Sequence, residues 1–358
     1  PLRPHWGRLV LASTHNGVPA YHIRMPRKGS SIVLRGLSWL LFHALSTVVA
    51  LTVTRPDVVI APSPPLTIGV SAWLVGLLRR CPYIYNVQEI YPDAAIALGA
   101  LHDPLLIRIL YALERFVYHR AARVTVIAPH MRERLIRKGT PAPKLAVIPN
   151  FIDPDELAPM PKDNLFSREH GVADKFVVSY AGNMGPAQQL ETFLAAAQVL
   201  KDEAGIRFML MGDGILRERL RAIVLENKLD NVIFLPYQSY SLMPQIYAAS
   251  DLSLVPQAEG ISDIAVPSKV YRIMACARAV LAVALEDSDL GDLLRTSGAG
   301  LLVAPGRPDD LAATILAAFR APEKLRQMGQ AGRKHVMAHY TRAAVARQYD
   351  AVLREVIG

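Results

Sequence analysis

The chain of 358 residues is long enough for two α/β domains, and its 51% hydrophobic and 20% charged residues allow each a substantial core. Its two cysteines, Cys81 and Cys276, stand far apart, which excludes a disulfide framework and predicts a reducing cytoplasm. The net charge of +9 predicts attraction to phosphorylated ligands or an anionic membrane leaflet, whereas nucleic acid is least favoured because no zinc-finger spacing or aromatic-basic pattern is present.

The first long apolar segment is IVLRGLSWLLFHALSTVVALTV (32–53). Its length would cross a bilayer, but Arg35 and His43 interrupt it. We therefore predict a helix that packs in a core or lies in the membrane interface, and a protein associated peripherally with the inner membrane. No signal peptide is visible. The basic residues that would face an anionic leaflet are Arg24, Arg27, Lys28 and Arg35.

Residues 55–150 alternate short apolar runs with helical patterns, which predicts a parallel sheet covered by helices on both faces. The chain opens with PLRPHWGRLVLAS and lacks the strand and glycine turn that begin a doubly wound domain, so we expect this opening unit to be absent. The predicted strands are VVIA, PYIYNV, RVTVIAP and KLAVIPN, and the predicted helices cover 67–80, 103–122 and 130–138.

Residues 151–174 are rich in proline and charge and are typical of a linker. The alternation then restarts and predicts a second parallel α/β domain, followed by helices over 309–321, 322–339 and 342–356. The strands predicted for this domain are KFVVSYAG, IRFMLMGDG, NVIFLPY, DLSLVPQ, AVLAVA and AGLLVAP.

The first stretch with a candidate chemical role is SYAGNMG, in which an apolar run ends at Gly182 and is followed by Asn183 and Gly185. A strand, a glycine turn and a helix start together are typical of phosphate sites, because ligands gather at the carboxyl ends of parallel strands. The turn carries no lysine or arginine, so the positive charge must come from elsewhere. An ordinary strand-to-helix turn is the alternative interpretation.

A second turn of the same kind is MGDGILRERL, with Gly212, Asp213 and Gly214 at the end of a strand. Asp213 has the simpler interpretation of a helix cap. Two such turns in one sheet favour a nucleotide site.

The segment VPSKVYRIMA places Ser268 and Lys269 at the start of a predicted helix, with Ser268 or the preceding proline suited to the first turn. A lysine is unfavourable there in isolation, because the helix N-terminus is already positive. Lys269 is therefore explained by an anion that lies between its amine and the backbone amides. A solvated lysine is the alternative.

The loop NVQEIYPD groups Gln88, Glu89 and Asp93 after a strand of the first domain, where carboxylates could orient a hydroxyl group. Helix capping around Pro92 is the alternative. DSD (287–289) resembles a metal-binding Asp-x-Asp, but its position before a short helix indicates caps, and we predict no metal site.

These motifs together resemble the retaining glycosyltransferases of family 4, which have the GT-B architecture, and the resemblance covers almost all of the chain. It is closest to the bacterial transferases that add N-acetylfucosamine or fucose-like sugars during O-antigen, capsule or colanic-acid assembly. A dehydrogenase is opposed by the lack of a clean G-x-G-x-x-G followed by an acidic residue. The motifs that carry the resemblance are APSPPLTIG, NVQEIYPDAAIALG, VIPNFID, YAGNMG, GDGILRERL and VPSKVYRIMA.

The resemblance implies two Rossmann-like domains that face a cleft, with an acceptor domain over 1–150, a linker over 151–174, a donor domain over 175–340 and a last helix, 341–358, packed back on the first domain. It implies transfer from a UDP-linked sugar to a lipid-linked glycan, without a metal or cofactor. The expected catalytic residues are Glu89, Asp93 and Lys269. The expected donor-binding residues are Gly182, Asn183, Gly185, Gln188, Gly212, Asp213, Gly214, Pro236, Tyr237, Ser268, Lys269 and Arg272, with the base near Pro236 and Tyr237.

Some positions depart from the family pattern. Asn183 and Gln188 stand where many members have arginine and lysine, and Ile264 and Arg272 stand where members have two glutamates. A non-catalytic protein that binds nucleotide-sugars or lipid-linked glycans on the same scaffold is therefore the alternative function.

Overall fold

The computed structural model describes the backbone of residues 3–6, 9–25 and 32–358, and the side chains of 9–25 and 37–358. Within these ranges the strands form one antiparallel sheet of three strands and two separate parallel sheets of four and six strands. The predicted α/β class with two parallel sheets is confirmed, because no strand pairing joins the two parallel sheets among the described residues.

The strands are β1 (Arg3–Trp6), β2 (Val10–His15), β3 (Val18–Ile23), β4 (Val59–Pro62), β5 (Tyr83–Val87), β6 (Arg123–Val126), β7 (Leu145–Val147), β8 (Phe176–Asn183), β9 (Ile206–Asp213), β10 (Val232–Leu235), β11 (Leu252–Pro256), β12 (Ala279–Val283) and β13 (Gly300–Val303). The helices are α1 (Ile32–Thr52), α2 (Ile68–Arg79), α3 (Asp93–Ala97), α4 (Pro104–Arg120), α5 (Pro129–Arg137), α6 (Leu165–Glu169), α7 (Leu190–Val199), α8 (Arg217–Glu226), α9 (Met243–Ala249), α10 (Lys269–Ala275), α11 (Asp289–Ser297), α12 (Pro308–Phe319), α13 (Pro322–His339) and α14 (Arg342–Ile357).

The antiparallel sheet at the start of the described chain was not among the predicted elements. β2 and β3 pair through a two-residue turn, Asn16 and Gly17, whose φ angles of 48° and 82° are both positive. Asn-Gly is the preferred sequence for this hairpin turn, because both residues adopt positive φ at low cost.

The first parallel sheet has the order β4-β5-β6-β7. Its strand β5 is buried along its whole length, which explains why its sequence, YIYNV, is hydrophobic at every position except Asn86. The last helix, α14, packs on this sheet: Val345 and Val352 share a buried cluster with Ile84 and Ile148.

The second parallel sheet has the order β10-β9-β8-β11-β12-β13. The chain moves outward from β8 in one direction, returns, and then moves outward from β11 in the other. The boundary between β8 and β11 is therefore the point at which strand order reverses, where open α/β sheets bind ligands beyond the carboxyl ends of their strands.

Helix α1 packs on α2, and His43 of α1 contacts Thr67, the residue that precedes α2. The His43 side chain is buried, and its Nε2 lies 2.9 Å from the Thr67 hydroxyl oxygen. Burial lowers the pKa of His43, so this residue of the apolar segment is accommodated as a neutral ring.

Among the described residues, no helix combines the length and apolar character needed to cross a bilayer. Arg27, Lys28 and the Arg35 side chain lie outside the described residues.

Candidate functional site

A cavity of about 460 Å³ opens beyond the carboxyl ends of β8, β9 and β11, and the first domain closes it from the opposite side. It therefore lies at the point of reversed strand order in the second sheet. Nine of the residues predicted from the sequence line it: Glu89, Gly182, Asn183, Gln188, Gly212, Tyr237, Ser268, Lys269 and Arg272.

The glycines allow the carboxyl ends of two neighbouring strands and a lysine to meet. Gly182 has a φ of 153°, and a Cβ added there would lie 2.7 Å from the Lys269 Nζ. Gly212 has a φ of 144°, and an added Cβ would lie 1.9 Å from the Gly182 carbonyl oxygen. Any larger side chain at either position would force these groups apart, so the two glycine turns and Lys269 form one packed unit.

Lys269 supplies a positive charge beside the first glycine turn. Its Nζ lies 3.9 Å from the centroid of the Tyr180 ring, and part of the side chain keeps contact with the solvent of the cavity. Burial of the amine, with a smaller contribution from the nearby Arg272 charge, lowers the pKa of Lys269 to about 7. Such an amine gains most from an anion that restores its charge.

The helix α10 begins at Lys269, as predicted, whereas the helix after the first glycine turn begins later than the turn itself. After the first glycine turn, a 3-10 turn and Gln189 in the left-handed region (φ 43°) precede α7, which begins at Leu190. The Gln188 Oε1 accepts a hydrogen bond from the Gly185 N–H at 3.1 Å, which leaves its amide nitrogen for a ligand. Ser268 makes no capping hydrogen bond with its side chain at the start of α10.

Five predicted residues do not line the cavity: Asp93, Gly185, Asp213, Gly214 and Pro236. The Asp213 carboxylate accepts from the Gly214 N–H at 2.8 Å and is thus engaged by its own turn. Gly214 instead allows close packing, since an added Cβ would lie 2.4 Å from the Met184 carbonyl oxygen. The Pro236 carbonyl accepts from the Gln238 side chain.

The two carboxylates predicted in the first domain have different surroundings. Glu89 lines the cavity, and burial raises the pKa of its carboxyl group. Asp93 is buried, and its oxygens lie 2.7 Å from the Arg134 Nε and 2.8 Å from the Lys138 Nζ. Burial alone would raise the pKa of Asp93, but the hydrogen bonds and charges of Lys138 and Arg134 hold it below its usual value. The side chain of Asp93 is thus used in an ion-pair network.

Sequence reasoning missed several lining residues, because they belong to elements that become neighbours only in the folded sheet. Tyr240 follows β10, and the Arg272 guanidinium lies 5.2 Å from the centroid of its ring. Gln257 directly follows β11; it is buried and donates to the Ala265 carbonyl at 2.6 Å. The available signal was a polar or aromatic residue at the end of a predicted strand or a few residues beyond it. Met211 and Tyr247 also line the cavity.

The DSD sequence forms caps, as predicted. The Ser288 hydroxyl accepts from the Gly291 N–H at the start of α11, and the Asp289 Oδ1 accepts from the His130 N–H at 3.0 Å at the start of α5. Within the part of the chain that the structure describes, no group of three or more His, Cys, Asp and Glu residues is placed to hold a metal ion.

Each half of the chain matches a known protein family. Residues 3–150 match the family described as "Glycosyl transferase 4-like domain", and residues 175–320 match the family described as "Glycosyl transferases group 1".

Two relatives have similar sequences over most of the chain. The "Putative colanic acid biosynthesis glycosyl transferase WcaI" of Escherichia coli (strain K12) is 29% identical over 276 residues, which are 75% of this chain and 68% of the relative. The "Probable glycosyltransferase WbjE" of Pseudomonas aeruginosa is 28% identical over 297 residues, or 82% of this chain and 74% of the relative.

Solved structures show the same fold. Anabaena Alr3699/HepE in complex with UDP-glucose superposes with a TM-score of 0.74 at 19% sequence identity, covering 90% of this chain and 84% of that one. The GT-B fold expected from the sequence is thereby confirmed, since the structural neighbours are glycosyltransferases of that architecture.

Proposed function

We propose that this chain, which carries the two domains of a glycosyltransferase of the GT-B fold, transfers a sugar from a UDP-linked donor to a lipid-linked glycan with retention of configuration. The reaction would belong to bacterial surface polysaccharide synthesis. This part of the proposal is supported by the similarity to a relative named for colanic acid biosynthesis. An N-acetylfucosamine-like sugar is the donor group that we propose.

The observation that carries the proposal is the position of Lys269. Its amine lies against Gly182, beside Arg272, in a cavity at the point of reversed strand order. Two cationic side chains there complement a diphosphate, whose negative charge grows as it departs from the sugar. The loop residues Asn183 and Gln188 would add neutral hydrogen bonds. A solved structure of similar fold that contains UDP-glucose supports the same choice of donor.

The first domain would bind the glycan that accepts the sugar. Glu89 lines the cavity from that domain, and a carboxylate there can orient the hydroxyl group that attacks the sugar. The base would stack near Tyr237 at the end of β10, which is largely exposed and available to a ligand.

The test is a panel of UDP-sugars. Thermal-shift screening should give a selective increase in melting temperature with UDP and one UDP-sugar, since a ligand at a hundredfold excess over Kd adds about 2.7 kcal/mol to stability. Hydrolysis or transfer of the same sugar should then be detected, and chelation with EDTA should leave the rate unchanged because side chains supply the charge. Absence of any UDP-dependent shift would contradict the proposal.

The second candidate is a non-catalytic binding protein on this scaffold. It is favoured by Ile264, which stands where family members have a glutamate and is buried among apolar residues of the first domain. Selective binding of a UDP-sugar without hydrolysis, and without transfer to a lipid-linked glycan, would support this candidate instead.

We also propose that the protein associates with the inner membrane surface through α1. Leu37, Leu40 and Leu41 are 57%, 62% and 45% exposed, and their spacing places them on one side of the helix. Leu77 and Leu78 of α2 are 59% and 57% exposed. Flotation with anionic vesicles should be reduced by high salt and by Leu40→Gln. Retention after both salt and carbonate washes would instead indicate a spanning segment.

A further inference from the structure

The segment between β11 and α10, residues 257–268, leads directly to Lys269 and is contacted by the first domain at adjacent residues. The Ile90 N–H donates to the Ile264 carbonyl at 3.1 Å, and Glu89 forms a β-bridge with Ala265. This segment therefore joins the Glu89 backbone of the first domain to the second domain. We refer to it as the 257–268 loop.

A second contact on the same loop is ionic. The Arg134 Nη1 on α5 lies 2.8 and 2.9 Å from the two oxygens of Asp263 in the loop, and the Nη2 of the more exposed Arg137 lies 3.2 Å from one of them. The other side of the Arg134 guanidinium, at Nε, lies 2.7 Å from the buried Asp93 carboxylate. Lys138 also binds Asp93, so the Asp93 carboxylate that holds Arg134 is itself fixed within the first domain. Arg134 therefore extends from a fixed position to the 257–268 loop. A guanidinium held at one edge offers its other edge in a fixed direction.

We propose that Arg134 is a positioning residue: by binding Asp263, it holds the first domain in the position at which Glu89 lines the same cavity as Lys269. This inference rests on the proposed function, because it concerns the transfer step. It assigns a role to Asp93 as well, since that carboxylate orients Arg134.

The two halves of the site depend on this contact to different extents. Lys269 is positioned by the core of its own domain, because Val270, Ile273 and Met274 of α10 are buried there. Glu89 belongs to the other domain, and the Arg134–Asp263 pair and the Ile90–Ile264 hydrogen bond secure it beside the 257–268 loop. Loss of the pair should therefore reduce transfer while leaving the donor site intact.

The test uses Asp263→Ala, because the Asp263 side chain is partly exposed and its removal leaves Arg134 bound to Asp93. We expect kcat to fall about tenfold or more, with the Kd for UDP changed by less than about threefold. Hydrogen exchange of a peptide that contains Ile90 should become faster, because its amide loses a stable partner in the other domain. Arg134→Lys should retain part of the activity that Arg134→Met loses.

Arg132→Ala is the matched control, since Arg132 lies on the same helix and pairs with the adjacent Glu133. It should change neither kcat nor the exchange of Ile90. Unchanged kcat and unchanged Ile90 exchange in Asp263→Ala, or equal losses of kcat and UDP affinity, would overturn the inference. A parent protein that neither binds UDP nor transfers sugar would contradict the proposed function, and the exchange measurement would still test the contact between domains.

Discussion

The loop after β8 and the loop after β5 both follow strands inside their sheets, yet they contribute to the cavity in opposite ways. The 182–189 loop contains no charged residue, and a lysine from another element lies against its first glycine. The 88–93 loop contains two carboxylates, of which Glu89 lines the cavity and Asp93 is paired with Arg134 and Lys138. The charge that a loop carries in sequence is therefore a poor guide to the charge that it presents to a ligand.

The largest expected effect on UDP binding concerns Lys269, the positive charge that lies against the uncharged 182–189 loop. Lys269→Met should weaken UDP binding about ten- to a hundredfold, since loss of one charge-assisted hydrogen bond costs about 1.5–3 kcal/mol. Calorimetric titration with UDP would measure it. Lys201→Ala, on an exposed turn, should bind UDP as the parent does. Equal affinity of the Lys269 variant would show that the phosphate charge is met elsewhere, with Arg272 as the next residue to replace.

The same substitution should stabilise the protein without ligand. The pKa of Lys269 is lowered to about 7, so between this value and its ordinary value near 10.5 the unfolded chain holds more protons. Stability from this group therefore rises with pH across that window, and the buried charge is unfavourable at neutral pH and below. Lys269→Met should raise the melting temperature at pH 6.5 and lose most of that advantage at pH 10.

The next effect separates the two carboxylates of the 88–93 loop. Glu89→Gln should reduce transfer on the order of tenfold, because it removes the negative charge that would hydrogen-bond to the attacking hydroxyl group of the glycan. Its melting temperature should stay close to that of the parent. Asp93→Asn should instead lower the melting temperature, since breaking a buried ion pair costs about 3–5 kcal/mol. The comparison fails if the two variants change transfer and stability in the same proportion.

An intermediate effect is the dependence of UDP binding on pH. Above pH 7 the free protein loses the Lys269 proton, so binding of the diphosphate must take up a proton, and affinity should fall about tenfold between pH 7.5 and 9. The terminal phosphate of UDP is already ionised in that range. Titrations in buffers of different ionisation enthalpy would measure the proton taken up. Lys269→Met should show no uptake above pH 7.5.

The smallest effect on UDP affinity should come from the side chains of the 182–189 loop itself. Asn183→Ala removes a neutral amide, and a neutral hydrogen bond contributes about 0.5–1.5 kcal/mol, so UDP affinity should fall only a few fold. Competition binding resolves a change of that size. A loss of affinity as large as that of Lys269→Met would mean that Asn183 contributes as much to phosphate binding as Lys269 does.

The sequence predicted most of the parallel strands, because buried strands have continuous apolar sequences bounded by turns. It did not predict the β2–β3 hairpin, although Asn16-Gly17 is a strong turn signal between two short runs. In the site, Gly182 and Lys269 were predictable because glycine and charge placed at strand and helix ends have local physical reasons. Tyr240 and Gln257 were not, since their place depends on which strands lie side by side.

The helix α14 has a consequence for the order in which the chain is made. The segments between the domains are hydrogen-bonded to each other, with the Ile152 N–H donating to the Tyr340 carbonyl at 2.8 Å, and α14 then returns to cover Ile84 and Ile148. A ribosome completes residues 1–150 long before it reaches residue 342, and domains generally fold as they emerge. The apolar surface formed by Ile84 and Ile148 therefore leaves the ribosome without α14, and it is covered only after residues 342–357 have been synthesised.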